Sequence, residues 1–596
     1  MAKAMQQAPT WDLSDLYAGI DDPKLEQDLQ TNIDKASSFA EKFKGTLDNE
    51  SLTSAHLKSA MDEYEALYRS IYRPMAFAQL LFSTNTKDAQ RGALMQKVSE
   101  VSSTIQTHLV FFDIEMGQMP QSTFDQVIQA EELKIYQHYL QQVRDQAKHN
   151  LTEPEEKILV ETSNSRGPAF SRLFTEVTSR TDFEIERDGE VQTFTQGEVL
   201  AMFHDPNREL REKAAASVTD GVKENAHVVT FIYNTLIQEK AVLDRLRGLE
   251  HPESARHLDN EIDLNTVSTM VDVCVSNFNL VEDYYNLKKK LLGVDELTHY
   301  DRYAPIQNKQ VDIPFEDAKD IVMTSFNNFS PKLAEMTEPF FSKNWIDAAI
   351  ADGKRGGAFC AGITPDLHPY VFMNYNNTAN DVMTLAHELG HGIHDVLAAK
   401  NHMFDYQPVL PMAETASTFG EMLVFDKLLS DLDNEEEKLG LICKKIEDTF
   451  ATVFRQISMF RFEREAHKLR REKGEQTTES FNELWQSTQQ EMYGKSLTLG
   501  DDHAYWWLYV PHIIQVPFYV YAYAFGELLV MSLYAQYQRE GDSFINKYFD
   551  LLAAGGARTP AQLVSKMGFD IADKNFWQSG CDLVRERIER AKALAS

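Results

Sequence analysis

Apolar positions recur at three- and four-residue intervals along most of the chain, with little proline and no long glycine- or serine-rich linker. Spacing of that kind gives each segment one apolar face at the helical period, so it predicts a mainly α protein. Residues 24–43, 52–82, 88–116 and 124–144 read as successive amphipathic helices. Residues 153–166 close this run, with Pro154 suited to a helix start and Gly167-Pro168 to its end. The period changes in two places. Residues 182–186 and 190–195 flank Arg187-Asp188-Gly189 as a short hairpin, and residues 356–360 and 370–375 read as two strands joined by a loop with Pro365 and Pro369. Pro206-Asn207-Arg208 opens the long helical run between these two regions. The acidic cluster 433–437 reads as a solvated loop or helix end.

Directly after the second pair of strands comes a predicted helix over residues 381–399, and it carries His387-Glu388-Leu389-Gly390-His391. Residues four apart share a helical face, so His387 and His391 can aim two neutral nitrogens at one point. Zn²⁺ accepts such ligands, and Glu388, one step along the same turn, can serve a metal-bound water as general base. Two imidazoles leave room for a third protein ligand. After a loop over 401–411 a new helix is expected at Met412, and Glu414, 23 residues beyond His391, is the ligand chosen from it. Glu421 lies two turns further on the same face, where it can accept a hydrogen bond from a ligand imidazole. A lone glutamate is more often a solvated helix charge, but the flanking Ala, Ser, Thr and Phe residues argue against that here.

Glycines at 356 and 357, followed by Ala358, just upstream of this helix allow either of two roles. An exposed strand can pair with the main chain of an extended peptide, making Gly356, Gly357 and Ala358 substrate-binding residues, or the glycines simply turn a structural hairpin. Lys354 beside them belongs to no phosphate loop, since the Gly-Lys-Ser/Thr ending is absent.

His387-Glu388-Leu389-Gly390-His391-Gly392-Ile393-His394, Ala413-Glu414-Thr415-Ala416-Ser417-Thr418, and Pro511-His512 followed by Phe518-Tyr519-Val520-Tyr521 together resemble the oligoendopeptidase F family, relatives of thimet oligopeptidase. The opening Trp11-Asp12-Leu13-Ser14-Asp15-Leu16-Tyr17 and Lys354-Arg355-Gly356-Gly357-Ala358-Phe359-Cys360 are similar too. The resemblance implies a large multi-helical zincin whose two halves enclose a deep substrate channel, with a small β-sheet beside the zinc helix. It also implies one Zn²⁺ per chain and hydrolysis of internal bonds in short unfolded peptides. On this reading residues 1–115 form an amino-terminal helical region, 116–200 a helical and hairpin domain, and 201–596 the catalytic domain. His512 and the tyrosines after Pro517 are the candidate donors to the oxyanion. The likeness favours Tyr519 or Tyr521, on a helix expected over 518–529. His394 takes a neighbouring, non-ligating role. His368, His402 and His503 lie in predicted loops, with His503 a candidate substrate contact, while Tyr505, Trp506, Trp507 and Tyr509 read as core.

A composition of 43% hydrophobic and 25% charged residues is that of an ordinary globular protein. The net charge of −32 disfavours nucleic acid and anionic membrane surfaces as partners, and the resemblance implies short peptides as the expected ones. Four widely spaced cysteines read as reduced thiols, and no apolar leader follows Met1–Gln7. The most apolar stretch, 513–525, contains Gln515 and Pro517 and falls short of the roughly 20 residues a spanning helix needs. A cytoplasmic location is expected, and nothing sets an oligomeric state. Two other functions stay open: a zinc carboxypeptidase or dipeptidase, which would need a cation to anchor a free carboxylate, and a non-enzymatic peptide-binding protein, which would not need Glu388.

Overall fold

The computed structural model describes residues 8–187, 189–306 and 312–596, so Asp188 of the predicted hairpin turn and Met1–Gln7 lie outside the described residues. The fold is mainly α, with 70% of residues in helices. Helices Pro23–Phe43 and Ser54–Thr84 follow the predicted periodicity closely, each opened by a side-chain cap, from Asp22 and Thr53.

Three predicted helices are divided. The run expected over 88–116 becomes Ala89–Leu109 and Phe111–Gln118, because the chain turns at Val110 to bury Phe111 and Phe112 in the same core as Phe39 and Tyr64. The run expected over 124–144 becomes Gln121–Val127, a 3-10 turn Glu131–Tyr136 and Gln137–Ala147, pinned by the buried side chains of Leu133 and Tyr136. The run expected over 153–166 stops at Glu161 and is followed by a 3-10 turn, Ser163–Ser165, so Gly167-Pro168 does not end it but opens the next helix, Gly167–Ser179, since proline fits a first helical turn.

Two compact units emerge, each assembled from separated stretches of sequence. One comprises residues 1–150, 310–430 and 536–568; the other comprises 151–309, 431–535 and 569–596. The second unit contains the predicted hairpin, β1 (Phe183–Arg187) paired antiparallel with β2 (Glu190–Phe194).

In the first unit a three-stranded sheet precedes the histidine helix. Its strands are β3 (Ile346–Asp347), β4 (Phe359–Ala361) and β5 (Tyr370–Phe372), in the order β3-β5-β4, with β3 parallel and β4 antiparallel to β5. The sequence reading missed β3, which is only two residues long and carries no alternation. It also extended β4 too far toward its amino end. Gly356 and Gly357 form the turn before β4, with Gly357 at φ +85°, and Asn374 Nδ2 donates to the carbonyls of Arg355 and Gly357 at 2.9 and 3.2 Å. Lys354 is a structural clamp. Its buried ammonium donates to the Asp347 carboxylate at 2.5 Å and to the carbonyls of Ala349 and Met373, both at 2.7 Å, tying this turn to the sheet.

The histidine helix spans Ala379–Ala398 and starts at a capping box in which Thr378 and Asp381 satisfy each other's backbone amides. The glutamate helix, Thr415–Asp431, packs across it through glycine. A Cβ on Gly390 would lie 2.5 Å from the Ala416 carbonyl oxygen and 2.6 Å from the Ser417 Cα, and one on Gly420 would lie 3.0 Å from the Ala386 carbonyl oxygen. The helices therefore meet backbone to backbone. Gly390→Ala forces them apart, and we expect a loss of stability on the order of 3 kcal/mol together with weaker metal binding. Thermal melts and a metal titration of the variant check this; an unchanged melting temperature would show that the contact relaxes freely.

Candidate active site and metal centre

The close crossing of the two helices sets the geometry of the metal centre. His387 Nε2 and His391 Nε2 lie 3.2 Å apart, and Glu414 Oε2 lies 3.3 Å from the first and 3.4 Å from the second. A tetrahedral site with bonds of roughly 2.0–2.1 Å separates its ligand atoms by about 3.3–3.4 Å. The three atoms thus stand at the corners of one tetrahedral face, and among the described residues they form a group able to hold a metal ion. Glu414 sits between the short helix Leu410–Ala413 and the glutamate helix, and the Ser417 hydroxyl donates to its Oε2 at 2.8 Å.

His387 Nδ1 stands 2.6 Å from Glu421 Oε1. That contact keeps the proton on Nδ1 and leaves the Nε2 lone pair for a cation. Burial lowers the basicity of His387, but the two carboxylates outweigh it and hold the imidazole pKa well above its ordinary value. Glu414 shows the converse: burial raises its carboxyl pKa, and the hydrogen bonds with His387 and His391 more than reverse this. Both shifts report a point where positive charge is favoured.

Glu388 is 5% exposed, and its Oε2 is buried without a hydrogen-bond partner. Burial raises its carboxyl pKa, against the pull of the two histidines. An orphaned carboxylate oxygen beside three converging donors fits a site built for a metal and a water to be deprotonated. His394, although on nearly the same face, stays off this centre. It is buried and neutral, held at about 3 by desolvation, and it bonds the backbone of Ala413 and Leu552, bracing the segment that carries Glu414.

In the second unit His512 opens the short helix Pro511–Gln515. The helix expected over 518–529 begins later, at Tyr521, and runs Tyr521–Glu540. The delay has a local cause: Phe518 adopts a left-handed backbone, φ +58°, with its N–H donated to the buried Glu463 Oε1 at 2.7 Å and its ring against His467. Tyr519 therefore precedes the helix, yet its ring lies 5.0 Å from that of Tyr523 and 6.2 Å from that of His512, and the Tyr523 hydroxyl is 3.3 Å from His512 Nε2. Desolvation, with the Arg455 charge, lowers the His512 pKa and so favours neutral imidazole.

Tyr521 does not join this cluster. It is fully buried, and its hydroxyl accepts from Asn260 Nδ2 at 2.8 Å and contacts His257 Nδ1 at 3.1 Å, which makes it a core tyrosine and corrects its expected catalytic role. His503 is likewise no substrate contact: it is 1% exposed, packed among Trp485, Trp506 and His299. His368 stacks on Trp345 and pairs with Asp15, and His402 pairs with Asp405, so neither is available to the metal centre.

Comparison with known proteins decides the family. The sequence pattern of peptidase family M3 matches residues 201–583, and that described as Oligopeptidase F matches residues 115–183. The chain belongs to peptidase family M3. This M3 enzyme is a metalloendopeptidase acting on oligopeptides. It is 24% identical to oligopeptidase PepF of Bacillus subtilis over 98% of this chain and 87% of that one, and 22% identical to an oligoendopeptidase F homolog of Lactococcus lactis over 98% and 97%. In structure it is similar to a chain from Chlamydophila abortus, with a TM-score of 0.86, 23% identity and coverage of 99% and 100%. The oligoendopeptidase-F of Enterococcus faecium gives a TM-score of 0.73 at 20% identity, covering 96% and 98%.

The candidate metal centre opens on a cavity of about 720 Å³ within the first unit, lined by Gln79, residues 355–362, Asp395 and Gln407 besides His387, His391, Glu414 and Glu388. Sequence reasoning missed Asp395 and Gln407. The signal for Asp395 was available, since it lies four residues after His391 on the histidine helix. Burial raises its carboxyl pKa to about 7, Gln407 Nε2 donates to it at 3.0 Å, and a Cβ on Gly362 would meet its Oδ2 at 2.4 Å. Nothing predicted Gln407, which a loop delivers. Gly356 and Gly357 are exposed in the cavity wall with open space where a Cβ would point.

Proposed function

We propose that this M3 enzyme is a zinc peptidase that cuts internal bonds of short, unfolded peptides, with His387, His391 and Glu414 holding one Zn²⁺ per chain and Glu388 as general base. The observation that carries the reading is the set of three ligand atoms spaced 3.2–3.4 Å apart with the unpartnered Glu388 Oε2 beside them. Bound zinc supplies an acidified water and a polarised scissile carbonyl. Glu388 would take a proton from the attacking water and pass it toward the leaving amine. Glu421 holds His387 in the tautomer that ligates.

His512, with Tyr519 and Tyr523, offers the N–H and O–H donors that a developing oxyanion requires. The turn of Gly356, Gly357 and Ala358 leads into β4, an edge strand, and a peptide backbone laid along this wall would gain main-chain hydrogen bonds with little demand on its side chains. The four cysteines are free thiols, and among the described residues no helix is long and apolar enough to cross a membrane.

Mass spectrometry of a digest tests the proposal. A peptide blocked at both ends should be cut internally, the products should vanish with a chelator, and added Zn²⁺ should restore them. Cleavage of only the unblocked peptide would establish an exopeptidase instead, and cleavage insensitive to chelation would remove the metal from the mechanism.

A further inference from the structure

The helix face that carries the two histidine ligands carries one more acid. His387, His391 and Asp395 follow one another at intervals of four residues, so they lie on nearly one face, and at 1.5 Å per residue Asp395 stands about 6 Å along the axis from His391. It lines the same cavity as the ligands, within the first unit. No step of the hydrolysis uses it.

Asp395 is a carboxylate without a cation. It is 6% exposed, its one hydrogen bond among the described residues comes from Gln407 Nε2 to Oδ1 at 3.0 Å, and no lysine or arginine pairs with it. The Cys360 thiol and the Tyr406 hydroxyl surround it. Burial raises the pKa of both and the Asp395 charge raises them further, so each feels the negative charge and neither answers it with a positive one. Arg355, at the far end of the wall segment 355–362, is exposed and stands over the Phe359 ring at 5.7 Å. Burying a carboxylate unpaired is costly, and the neutral amide of Gln407 offsets that only in part.

The free oxygen faces the cavity. Oδ2 takes no hydrogen bond, yet it is not sealed from the surface as Glu388 Oε2 is. Gly362, just past β4, keeps it uncovered: a Cβ there would meet Oδ2 at 2.4 Å and Gln407 Nε2 at 2.5 Å. The φ of Gly362 is not in the left-handed region, so its backbone does not call for glycine, and the space beside Asp395 does. An ammonium or guanidinium placed in that space supplies both the donors and the charge that Oδ2 lacks. The net charge of −32 steers such groups inward.

We propose that Asp395, held by Gln407, binds a cationic group of the peptide substrate and so determines specificity beside the metal centre. The inference rests on the peptide hydrolysis proposed above. The cation can be a Lys or Arg side chain or the free amino terminus, and one experiment separates the two.

The peptides share one neutral sequence with a carboxamide end. The reference is acetylated and has norleucine around the cleaved bond; a series replaces one norleucine at a time by Lys within three residues of the cut; a further pair, with its amino end equally close to the cut, is compared acetylated and free. Mass spectrometry locates the cut in each. With the zinc-loaded enzyme, Lys at one position should exceed norleucine in kcat/KM by about tenfold, the worth of one charge-assisted contact. Asp395→Asn keeps the shape and still accepts from Gln407, and it should bring that ratio to near one. A gain confined to the free amine makes the terminus the ligand, and a gain in the Lys series makes it a side chain. Calorimetry on zinc-loaded Glu388→Gln enzyme should give the same ratio in Kd without turnover. Should Asp395→Asn fail to fold, Asp395→Ser carries the test through the same ratios. No gain from any Lys or from the free amine with the unaltered enzyme overturns the cation site while leaving peptidase activity intact, as does a gain that survives the Asp395 variants. No cleavage of any peptide overturns the peptidase reading itself, and the calorimetric ratio then decides the cation site alone.

Discussion

Glu388→Gln should keep its metal and lose peptide hydrolysis by a factor on the order of 10²–10⁴, the usual worth of a positioned general base. The amide has nearly the shape of the carboxylate and fits the same buried place, where Glu388 is 5% exposed, but it cannot accept a proton from water. Glu388 also stands outside the ligand set, which His387, His391 and Glu414 make by themselves. The two halves of the prediction are measured separately: kcat/KM on a blocked peptide for the chemistry, and elemental analysis of the purified variant for the metal. Metal loss equal to that of His387→Ala would turn Glu388 into a ligand or a structural residue. Retained activity would require another base.

Glu414→Ala should remove most of the bound zinc, whereas Glu421→Ala should weaken the affinity by about 10–100-fold and leave the site able to fill at higher metal concentration. The difference follows from what each carboxylate touches. Glu414 Oε2 stands 3.3 and 3.4 Å from the two ligating nitrogens themselves, while Glu421 Oε1 stands 2.6 Å from the far nitrogen of His387. Removing the first takes away one of three protein ligands. Removing the second frees the ring of His387 to rotate and to exchange tautomers. Titration against a chromophoric chelator gives both affinities, and the reverse order would refute the assignment of the two glutamates.

Much of the histidine helix was legible in the chain because its logic is local. Positions four apart share a helical face wherever the helix forms, so the pairing of His387 with His391 needs no knowledge of the rest of the molecule. Glu414 was legible only as a choice among downstream acids. Its place beside the histidines depends on two helices that approach closely enough for Gly390 and Gly420 to face each other's backbone, and such an approach leaves no periodic trace. The aromatic segment was the least legible. Reading Pro517 as a helix start assumed that the backbone continues helically, but the buried Glu463 takes the Phe518 N–H and the chain turns through a left-handed residue first.

By itself, then, the sequence determined the mainly helical class, the shared face of His387 and His391 on one helix, and the place of Glu388 one step along the same turn, since all of these follow from residue spacing and residue type. Tertiary structure alone decided that Tyr521 is buried against His257 and Asn260 while Tyr519 and Tyr523 gather at His512, and that His503 lies in the core. It alone decided the break at Val110. The physical reason is the same throughout. A helical period states which side chains share a face, but the fate of each face is set by the apolar area and the polar partners that distant segments bring to it, and those terms outweigh local propensity.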